Sequence, residues 1–343
     1  MQENTCFLFW VGVDVSKDSF TAAFRSIARN EATRFPPKDR YAIDRDGVEE
    51  FLQWADGLSG KLGFGIAMEA TGVYSRRLAA LIRSASPSRH VAVCNAASVS
   101  LYARSFTEQK SDRSDAELIA RYACDRNPGA PRLKKAAEAR LQELVRERDR
   151  IVGLKTAMGN SGETLESAAV RRVHAAAVKA LEKAVERLER LIRKTVDSSR
   201  EIREEVARMT TAPGVGFLSA ACIYAELGSM RNYTRKQISA MSGVCPVNRV
   251  SGKSVDKHAV SHRGSKLLRK TLFLDSLQAI RGMPAMGEFH RRMLEKPNSG
   301  KMSAKCACMR KLLLILHAMV VNETDYRPDY KSEKIMKIKD EIA

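Results

Sequence analysis

The sequence predicts an α/β domain, then a long helical segment, and then a mostly helical C-terminal domain with a strong positive charge. In residues 1–130, apolar runs rich in β-forming residues alternate with helical patterns, as they do in α/β domains. Residues 131–208 are rich in Ala, Leu, Glu, Arg and Lys, with apolar positions near heptad spacing. Residues 209–322 combine helical periodicity with many basic residues, and 323–343 are expected to form a flexible tail.

The first domain is predicted to contain a mixed sheet, because its strand signals come both in close succession and separated by helices. Compact apolar runs of β-forming residues indicate strands, whereas apolar residues at helical spacing indicate amphipathic helices. Strands are predicted at 7–15, 19–24, around 32–35, 62–70 and 90–95, and helices at 47–58 and 73–85. A further helix is predicted to begin within FTEQKSDRSDAELIARYACD, residues 106–125.

The helical segment is expected to form a hairpin or a coiled coil. Two long helices are predicted over 134–158 and 164–208, and GNSG at 159–162 is expected to separate them because glycine disfavours helix. Such a segment serves either as a dimerisation surface or as a plain spacer, and the sequence favours neither.

The charge of the chain indicates a polyanionic partner. The sequence has 59 Lys or Arg and 40 Asp or Glu, which gives a net charge of +19 and a pI of about 9.8. Residues 231–311 alone contain 18 Lys or Arg and 4 Asp or Glu. A folded basic region of this kind is typical of proteins that bind nucleic acid.

Cysteine usage and the apolar runs exclude several other classes. The seven cysteines are scattered, odd in number and without a C-x-x-C pair, so neither a disulfide framework nor a zinc site is expected. The N-terminus lacks the basic region of a signal peptide, and the apolar run LLLILHAMVV is too short to cross a bilayer. We therefore expect a cytoplasmic protein that has no membrane partner.

Four carboxylates are candidates for a metal site. Asp14 and Glu69 come at the ends of predicted buried strands, where an unpaired carboxylate is costly to bury. Asp112 and Asp115 begin a predicted helix, three residues apart and therefore on one face. Acidic residues in a first turn also suit the helix dipole, which is the ordinary structural reading of such a pair. Together, however, the four match the several carboxylates that a two-metal phosphoryl-transfer site requires.

A turn and a basic stretch in the C-terminal domain are candidates for contacts with nucleic acid. PGVG lies between helical segments and fits a helix-hairpin-helix turn, in which Gly214 and Gly216 let backbone amides approach a phosphate, although a plain tight turn has similar weight. The candidate residues for nucleic-acid binding are Gly214, Gly216, Arg249, Lys253, Lys257, Arg263, Lys266, Arg269 and Lys270.

Motifs along nearly the whole chain resemble one family. GVDVSKDSF, MEATGVY and KSDRSDAELIARYA, in this order, look like the RuvC-like DEDD domain of the insertion-sequence transposases of family one-ten, the Piv-type and bridge-RNA-guided recombinases. TAPGVGFLSAACIYAELG, QISAMSGVCPVNRVSGKS and VSHRGSKLLRKTLF are similar to that family's C-terminal transposase domain. The resemblance covers roughly residues 5–320 and implies a RuvC/RNase H-like fold for the first domain.

The resemblance also implies the catalytic residues. The family's tetrad falls on Asp14, Glu69, Asp112 and Asp115, which would bind Mg²⁺ or Mn²⁺, and its serine falls on Ser251. That serine would attack the scissile phosphate and form a covalent link to DNA, although the residues alone indicate only a turn serine. Where the family commonly shows S-K-x-G, this chain has S-H-R-G, which leaves the role of His262 open.

The partners that the resemblance implies are donor and target DNA and a structured non-coding guide RNA. It further implies a homodimer that assembles into a homotetramer, with sites composed between subunits, in the cytoplasm of a bacterium near the nucleoid. Alternatives are a Piv-like invertase that reads DNA directly and a RuvC-like junction nuclease that uses water. A sugar kinase or an actin-like ATPase is a further alternative, but the sequence shows neither the second phosphate loop nor the adenosine motif that such an enzyme requires. The remaining alternative is a non-catalytic DNA-binding protein.

Overall fold

The structure is a computed structural model that divides into two compact units, Met1–Leu133 and Lys134–Ala343. The finer predicted boundaries at 130, 208 and 322 stay predictions. At residues 112–114, 246–251 and 255–260 only the backbone is described. The described residues are 7–28, 32–104, 112–130, 135–244, 246–251, 255–260, 264–296 and 300–328.

The first unit contains the predicted mixed sheet, in the order β3-β2-β1-β4-β5. Strand β1 pairs antiparallel with β2 and parallel with β4, and β5 continues the parallel side. Apolar residues fill β1 and β4 because helices cover both faces of the sheet at these central strands. The strands are β1 (Phe9–Val15), β2 (Ser19–Ser26), β3 (Tyr41–Ala42), β4 (Gly65–Glu69) and β5 (Val91–Cys94).

Four α-helices accompany the sheet among the described residues of this unit. Asp44 begins the first helix by accepting a hydrogen bond from the Gly47 backbone N–H at 2.8 Å, which satisfies one of the unpaired amides of a helix start. A single 3₁₀ turn, Gly60–Leu62, follows it. The helices are α1 (Arg45–Ser59), α2 (Val73–Ala85), α3 (Ala96–Ala103) and α4 (Asp112–Arg126).

The prediction of a third strand around 32–35 is wrong. That segment makes one isolated bridge, between Phe24 and Arg34, and the third strand is formed by Tyr41–Ala42 instead. The segment is followed directly by Pro36 and Pro37, which lack the N–H that a continued ladder needs.

The second unit is mostly helical, as predicted, but its first helices differ from the prediction. GNSG does not end the first of them, because α5 runs to Gly162 and the break lies at 163–167. The ring of His174 packs where a Cβ of Gly162 would lie, so a glycine suits this helical position. The predicted helix 164–208 is divided at Ser198 and Ser199, since serine side chains bond local backbone groups and favour helix ends.

The helices of this unit enclose one apolar core, and the described part of the chain contains no helix long and apolar enough to cross a membrane. Only the base of the α5–α6 hairpin enters this core, because no residue between Val145 and Ile192 is buried. The helices are α5 (Ala136–Gly162), α6 (Ala168–Asp197), α7 (Arg200–Thr210), α8 (Phe217–Leu227), α9 (Arg235–Ser242), α10 (Lys266–Gly282), α11 (Pro284–Leu294) and α12 (Lys301–Val321), and Met230–Asn232 form a 3₁₀ turn.

A two-stranded ribbon, which the sequence did not predict, lies between α9 and α10. It consists of β6 (Pro246–Ser251) and β7 (Val255–Val260), paired antiparallel. A Cβ at Gly264 would lie 2.2 Å from the carbonyl oxygen of Met241, so the chain entering α10 lies directly on the end of α9.

Candidate catalytic site and nucleic-acid interface

Asp14 and Glu69 lie side by side at one edge of the sheet. Asp14 is the second-last residue of β1 and Glu69 is the last residue of β4. The register pairs Val13 with Met68, the residues that precede them. Because parallel strands bring their carboxyl ends to the same edge, the two carboxylates share that edge. Both side chains are half-buried, whereas the residues before them are fully buried.

Asp115 is held near this edge by the docking of α4 on β1. A Cβ at Gly12 would lie 2.1 Å from the carbonyl oxygen of Ala116 and 2.3 Å from the amide nitrogen of Ala120. The backbone of the helix therefore rests directly on the strand, two residues before Asp14. Position 12 accepts only glycine, which allows this close approach.

A polar network also holds α4 against β2. The Thr33 hydroxyl donates to a carboxylate oxygen of Glu117 at 2.6 Å, and the Arg25 guanidinium donates to the Thr33 oxygen at 2.6 Å. Arg25 also lies 3.4 Å from Glu117. Since Glu117 is two residues from Asp115, this network fixes the helical turn that carries the candidate ligand.

The three described carboxylates interact electrostatically. The pKa of Glu69 is raised above its usual value, first by burial and then by the negative charges of Asp14 and Asp115. Burial and the charge of Glu69 together raise the pKa of the neighbouring Cys94 thiol to about 11. A cation at this edge would relieve the repulsion, and carboxylate oxygens are the ligands that Mg²⁺ prefers.

The donor set fits a hard divalent ion by its chemistry, while its geometry is incomplete in the described part of the chain. No three His, Cys, Asp or Glu side chains of the described residues form a group that would hold a metal ion. Asp112 is the first residue of α4, one helical turn before Asp115, and its side chain lies outside the described atoms. Its predicted role as a fourth ligand stays a prediction.

Ser251 is the last residue of β6 and pairs with Val255, the first residue of β7. The residues between them, among them Lys253, lie outside the described part of the chain, as do His262 and Arg263. Arg249 pairs with Lys257, two residue pairs further along the ladder. By the alternation of a β-ribbon, the positions of Arg249, Ser251 and Lys257 belong to the same face.

The PGVG turn joins α7 to α8 and packs on α10. Gly214 has φ +90°, and a Cβ there would lie 2.7 Å from the amide nitrogen of Ala279. Packing therefore explains Gly214, which needs both this conformation and this close approach. Gly216 has open space around its Cα and is the N-cap of α8, where no side chain caps the amides. The first amides of α8 are thus the part of the turn that suits a phosphate.

The basic residues at the start of α10 differ in their surroundings. Lys270 forms an ion pair with Asp149 of α5, with 2.6 Å between its Nζ and a carboxylate oxygen. Arg269 donates to the carbonyl oxygen of Gly264 at 3.1 Å, while Lys266 is exposed. Lys266 is therefore the best placed of the three for a phosphate, and all three roles stay predictions.

Two family descriptions match the chain over most of its length. One, described as a transposase and named for the DEDD transposases of IS110, matches residues 11–167 and so includes Asp14 and Glu69. The other, described as the transposase IS116/IS110/IS902 family, matches residues 206–291 and includes Ser251. The chain belongs to the IS110 family of transposases. DNA is therefore the substrate of this enzyme, and the family predicted from the motifs is confirmed.

Individual relatives agree with this membership. The IS110-family chain is 26% identical over 316 residues to the pilin gene-inverting protein of Moraxella bovis, covering 91% of this chain and 95% of that protein. The corresponding protein of Moraxella lacunata is 25% identical over the same length. The transposase for insertion sequence element IS1111A of Coxiella burnetii is 26% identical over 200 residues, 50% of this chain and 55% of that protein.

The sequence reading missed Asp275, a buried carboxylate in this IS110-family transposase. It lies on α10, one helical turn before the residues that contact Gly214, and one of its oxygens accepts a hydrogen bond from the Ser219 hydroxyl at 2.7 Å. Its other oxygen has no hydrogen-bond partner among the described residues. Burial raises the pKa of Asp275 to about 6. A signal was available, because an aspartate sits among the buried positions Leu272 and Ala279 of this helix.

Replacing Asp275 by Asn is expected to stabilise this transposase at pH 7 and to have no effect near pH 4. Because the folded pKa is raised, the unfolded chain releases this proton first, and the wild type loses stability as pH rises from about 4 to about 6. The gain at pH 7 is expected to be on the order of 1–3 kcal/mol. Urea unfolding across this pH range measures it, with Asp325→Asn, which removes an exposed carboxylate, as control. A constant difference at every pH would contradict the prediction.

Proposed function

We propose that this chain is a site-specific DNA recombinase that cuts and rejoins strands through Ser251, assisted by a metal site of Asp14, Glu69, Asp112 and Asp115. The observation that carries the proposal is the acidic edge of the sheet. Asp14 and Glu69 lie at the ends of the neighbouring parallel strands β1 and β4. Glu69 interacts with Asp14 and with Asp115, which lies on the helix that docks against β1. The mixed sheet with this acidic edge supports the RuvC/RNase H-like assignment of the first unit.

The carboxylates hold the catalytic cation in this proposal. Asp14 and Glu69 supply ligands from the rigid sheet, and Asp115 and Asp112 supply them from the first turn of α4. Mg²⁺ or Mn²⁺ held by these carboxylates would stabilise the charge that develops on the attacking and leaving oxygens. Burial and then the negative charges of Asp14 and Asp115 raise the pKa of Glu69, and a bound cation would offset both effects.

Ser251 supplies the nucleophile. Its Oγ forms a bond to the scissile phosphorus, the bond from that phosphorus to the leaving strand oxygen breaks, and the hydroxyl proton passes to the leaving oxygen through solvent. Attack by the hydroxyl of a second strand reverses the step and restores the serine, so the number of phosphoester bonds is conserved. In this proposal Arg249 and Lys257, whose positions share a ribbon face with Ser251 by register, would neutralise the phosphate charge.

The Ser251→Ala variant tests this mechanism. Incubated with its DNA substrate and stopped with denaturant, the wild type is expected to leave a protein–DNA adduct that survives on a denaturing gel, whereas Ser251→Ala leaves none. Ser254→Ala, three residues further along the chain, is the matched control and should retain the adduct. Strand cutting by Ser251→Ala at the wild-type rate would show that water is the nucleophile, as in a junction nuclease.

Target choice is proposed to come from a structured guide RNA, since pairing reads sequence while the protein reads shape in guided systems. The long match to the pilin gene-inverting proteins favours a second candidate, an invertase that reads DNA directly with the same chemistry. Sequencing the nucleic acid that co-purifies with the protein distinguishes them. One structured RNA encoded beside the gene supports guiding, and random RNA supports direct reading.

Assembly is proposed to proceed from a homodimer to a homotetramer on donor and target DNA. We assign this contact to the α5–α6 hairpin, which presents Leu154, Val170 and Val173 to solvent with exposed fractions of 52%, 49% and 73%. A coiled-coil contact between subunits would cover these side chains.

A further inference from the structure

The helices α11 and α12 carry a surplus of positive charge that the carboxylates of the described residues do not neutralise. Residues 281–321 contain eight Lys or Arg and only two Glu. On α5, by contrast, Arg146, Arg148 and Lys155 each lie within 4 Å of a carboxylate. None of the eight cations on α11, α12 or the segments beside them forms a salt bridge with another described residue.

Two of these cations lie over aromatic rings. The Nζ of Lys311 on α12 is 4.2 Å from the centre of the Phe289 ring of α11, and that of Lys305 is 5.7 Å from the Phe273 ring of α10. Both rings are partly buried against the core, so their positions are fixed by packing. A lysine on a flexible stem can leave the ring for a phosphate, and the exposed ring then offers a stacking surface.

Two of these cations, Arg292 of α11 and Lys311 of α12, repel each other electrostatically. The pKa of Lys311 is lowered, first by burial and then by the positive charge of Arg292, while Cys308 and Glu288 act in the opposite direction. Arg292 is exposed, on the same helix as Phe289. Positive charges held this close to each other and to an aromatic ring favour an anionic ligand that brings a planar group.

We propose that Arg292, Lys305, Lys311, Phe273 and Phe289 form a binding face for one unpaired DNA strand, with phosphates on the three cations and bases stacked on the rings. Cationic grooves with aromatic side chains are the usual way to bind single strands, whereas the bases of a duplex cannot reach such rings. We propose a DNA strand rather than an RNA strand because the chain belongs to a family of transposases. None of these five residues is among the candidates of 249–270, although Phe273 lies one helical turn after Lys270 on α10. The use of the face for displaced strands rests on the proposed strand exchange.

Binding of short oligonucleotides to the full chain tests this face without any cleavage step. Fluorescence anisotropy is measured with a labelled 20-nucleotide DNA strand, its duplex and an RNA strand of equal sequence, at several salt concentrations. For Arg292→Gln/Lys311→Gln, affinity for the DNA strand is expected to fall about tenfold and the log–log salt slope to become shallower by about 1.4, or about 0.7 for each lost phosphate contact. Duplex affinity should change less than about threefold.

The matched control is Arg150→Gln/Lys155→Gln, which removes two cations from α5 that are paired with Glu147 and Glu182. Equal losses in both double variants would overturn the proposal, because net charge alone would then explain binding. Equal losses for duplex and strand would overturn the preference for unpaired DNA. A loss confined to RNA would assign the face to RNA instead.

A second variant separates stacking from charge. Phe289→Leu keeps an apolar side chain in the core and is expected to weaken binding of the DNA strand about fivefold or more with an unchanged salt slope, since stacking does not release counterions. An unchanged affinity of Phe289→Leu for the DNA strand would show that no base stacks on the Phe289 ring. If this variant does not fold, the charge variant at exposed Arg292 and partly buried Lys311, which leaves the Phe289 ring in place, still decides the proposal.

Discussion

Replacing Glu69 by Gln is expected to reduce DNA strand cleavage on the order of 10²–10³-fold while duplex binding persists, a loss typical of removing one electrostatic stabiliser. Glu69 interacts with both Asp14 and Asp115, so its charge is central to the proposed cation site. As the pH falls, Glu69 is protonated at a higher pH than an ordinary glutamate, because its pKa is raised. Wild-type cleavage is therefore expected to decline at that higher pH, since a protonated Glu69 no longer binds the cation. Cleavage and binding assays between pH 5 and 8 measure both effects.

The stability of Glu69→Gln supplies an independent readout. Without divalent cations the variant is expected to unfold at a temperature equal to or above that of the wild type, because the substitution removes repulsion among the carboxylates. Mg²⁺ or Mn²⁺ should raise the unfolding temperature of the wild type and leave the variant unchanged. Glu49→Gln, which removes an exposed carboxylate on α1, is the control and should behave as the wild type. Full cleavage by Glu69→Gln would remove Glu69 from the site.

Replacing Gly12 by Ala is expected to destabilise the first unit and to abolish cleavage as well. The new methyl group would meet backbone atoms of Ala116 and Ala120 at 2.1 and 2.3 Å, so α4 must shift away from β1. Overpacking of this kind costs about 1–3 kcal/mol, and the contact here is with backbone that has no rotamer to change. Because Asp115 lies on α4, the shift would also separate it from Asp14 and Glu69.

The matched control for this change is Gly57→Ala on α1, where a Cβ meets nothing within 4 Å. That variant is expected to be neutral or stabilised by up to about 1 kcal/mol, since alanine is the better helix former. Urea unfolding of both variants, together with a cleavage assay, measures the difference. A wild-type unfolding midpoint for Gly12→Ala would show that α4 does not rest on β1 as closely as described.

The sequence predicted the strands that end in Asp14 and Glu69 because each is a short apolar run that ends at a carboxylate. Parallel pairing of those strands then placed both residues at one edge. The sequence could not predict how α4 docks on β1. A glycine within a strand, such as Gly12, has several explanations, and its contacts Ala116 and Ala120 are far away along the chain. For the same reason the ion pair of Lys270 with Asp149 escaped prediction, although both residues stand in plain helical patterns.

The ribbon that carries Ser251 was missed for a different reason. Val247 and Val250 are three residues apart, so β6 shows no strict alternation of apolar and polar residues. Its strand pairing with β7 defines this element. The serine itself was found only through the family resemblance, because a serine before a glycine is an ordinary turn residue.

The far part of the α5–α6 hairpin is expected to unfold locally more often than the core of the second unit. Since no residue between Val145 and Ile192 is buried, the far part of the hairpin is stabilised by the contacts between its two helices and by few others. Segments with so little buried apolar surface open with a smaller free energy than the core from which they extend. Backbone amides there should exchange with solvent deuterium long before those of α8 or α12, and contact with a second copy of the chain would slow that exchange first.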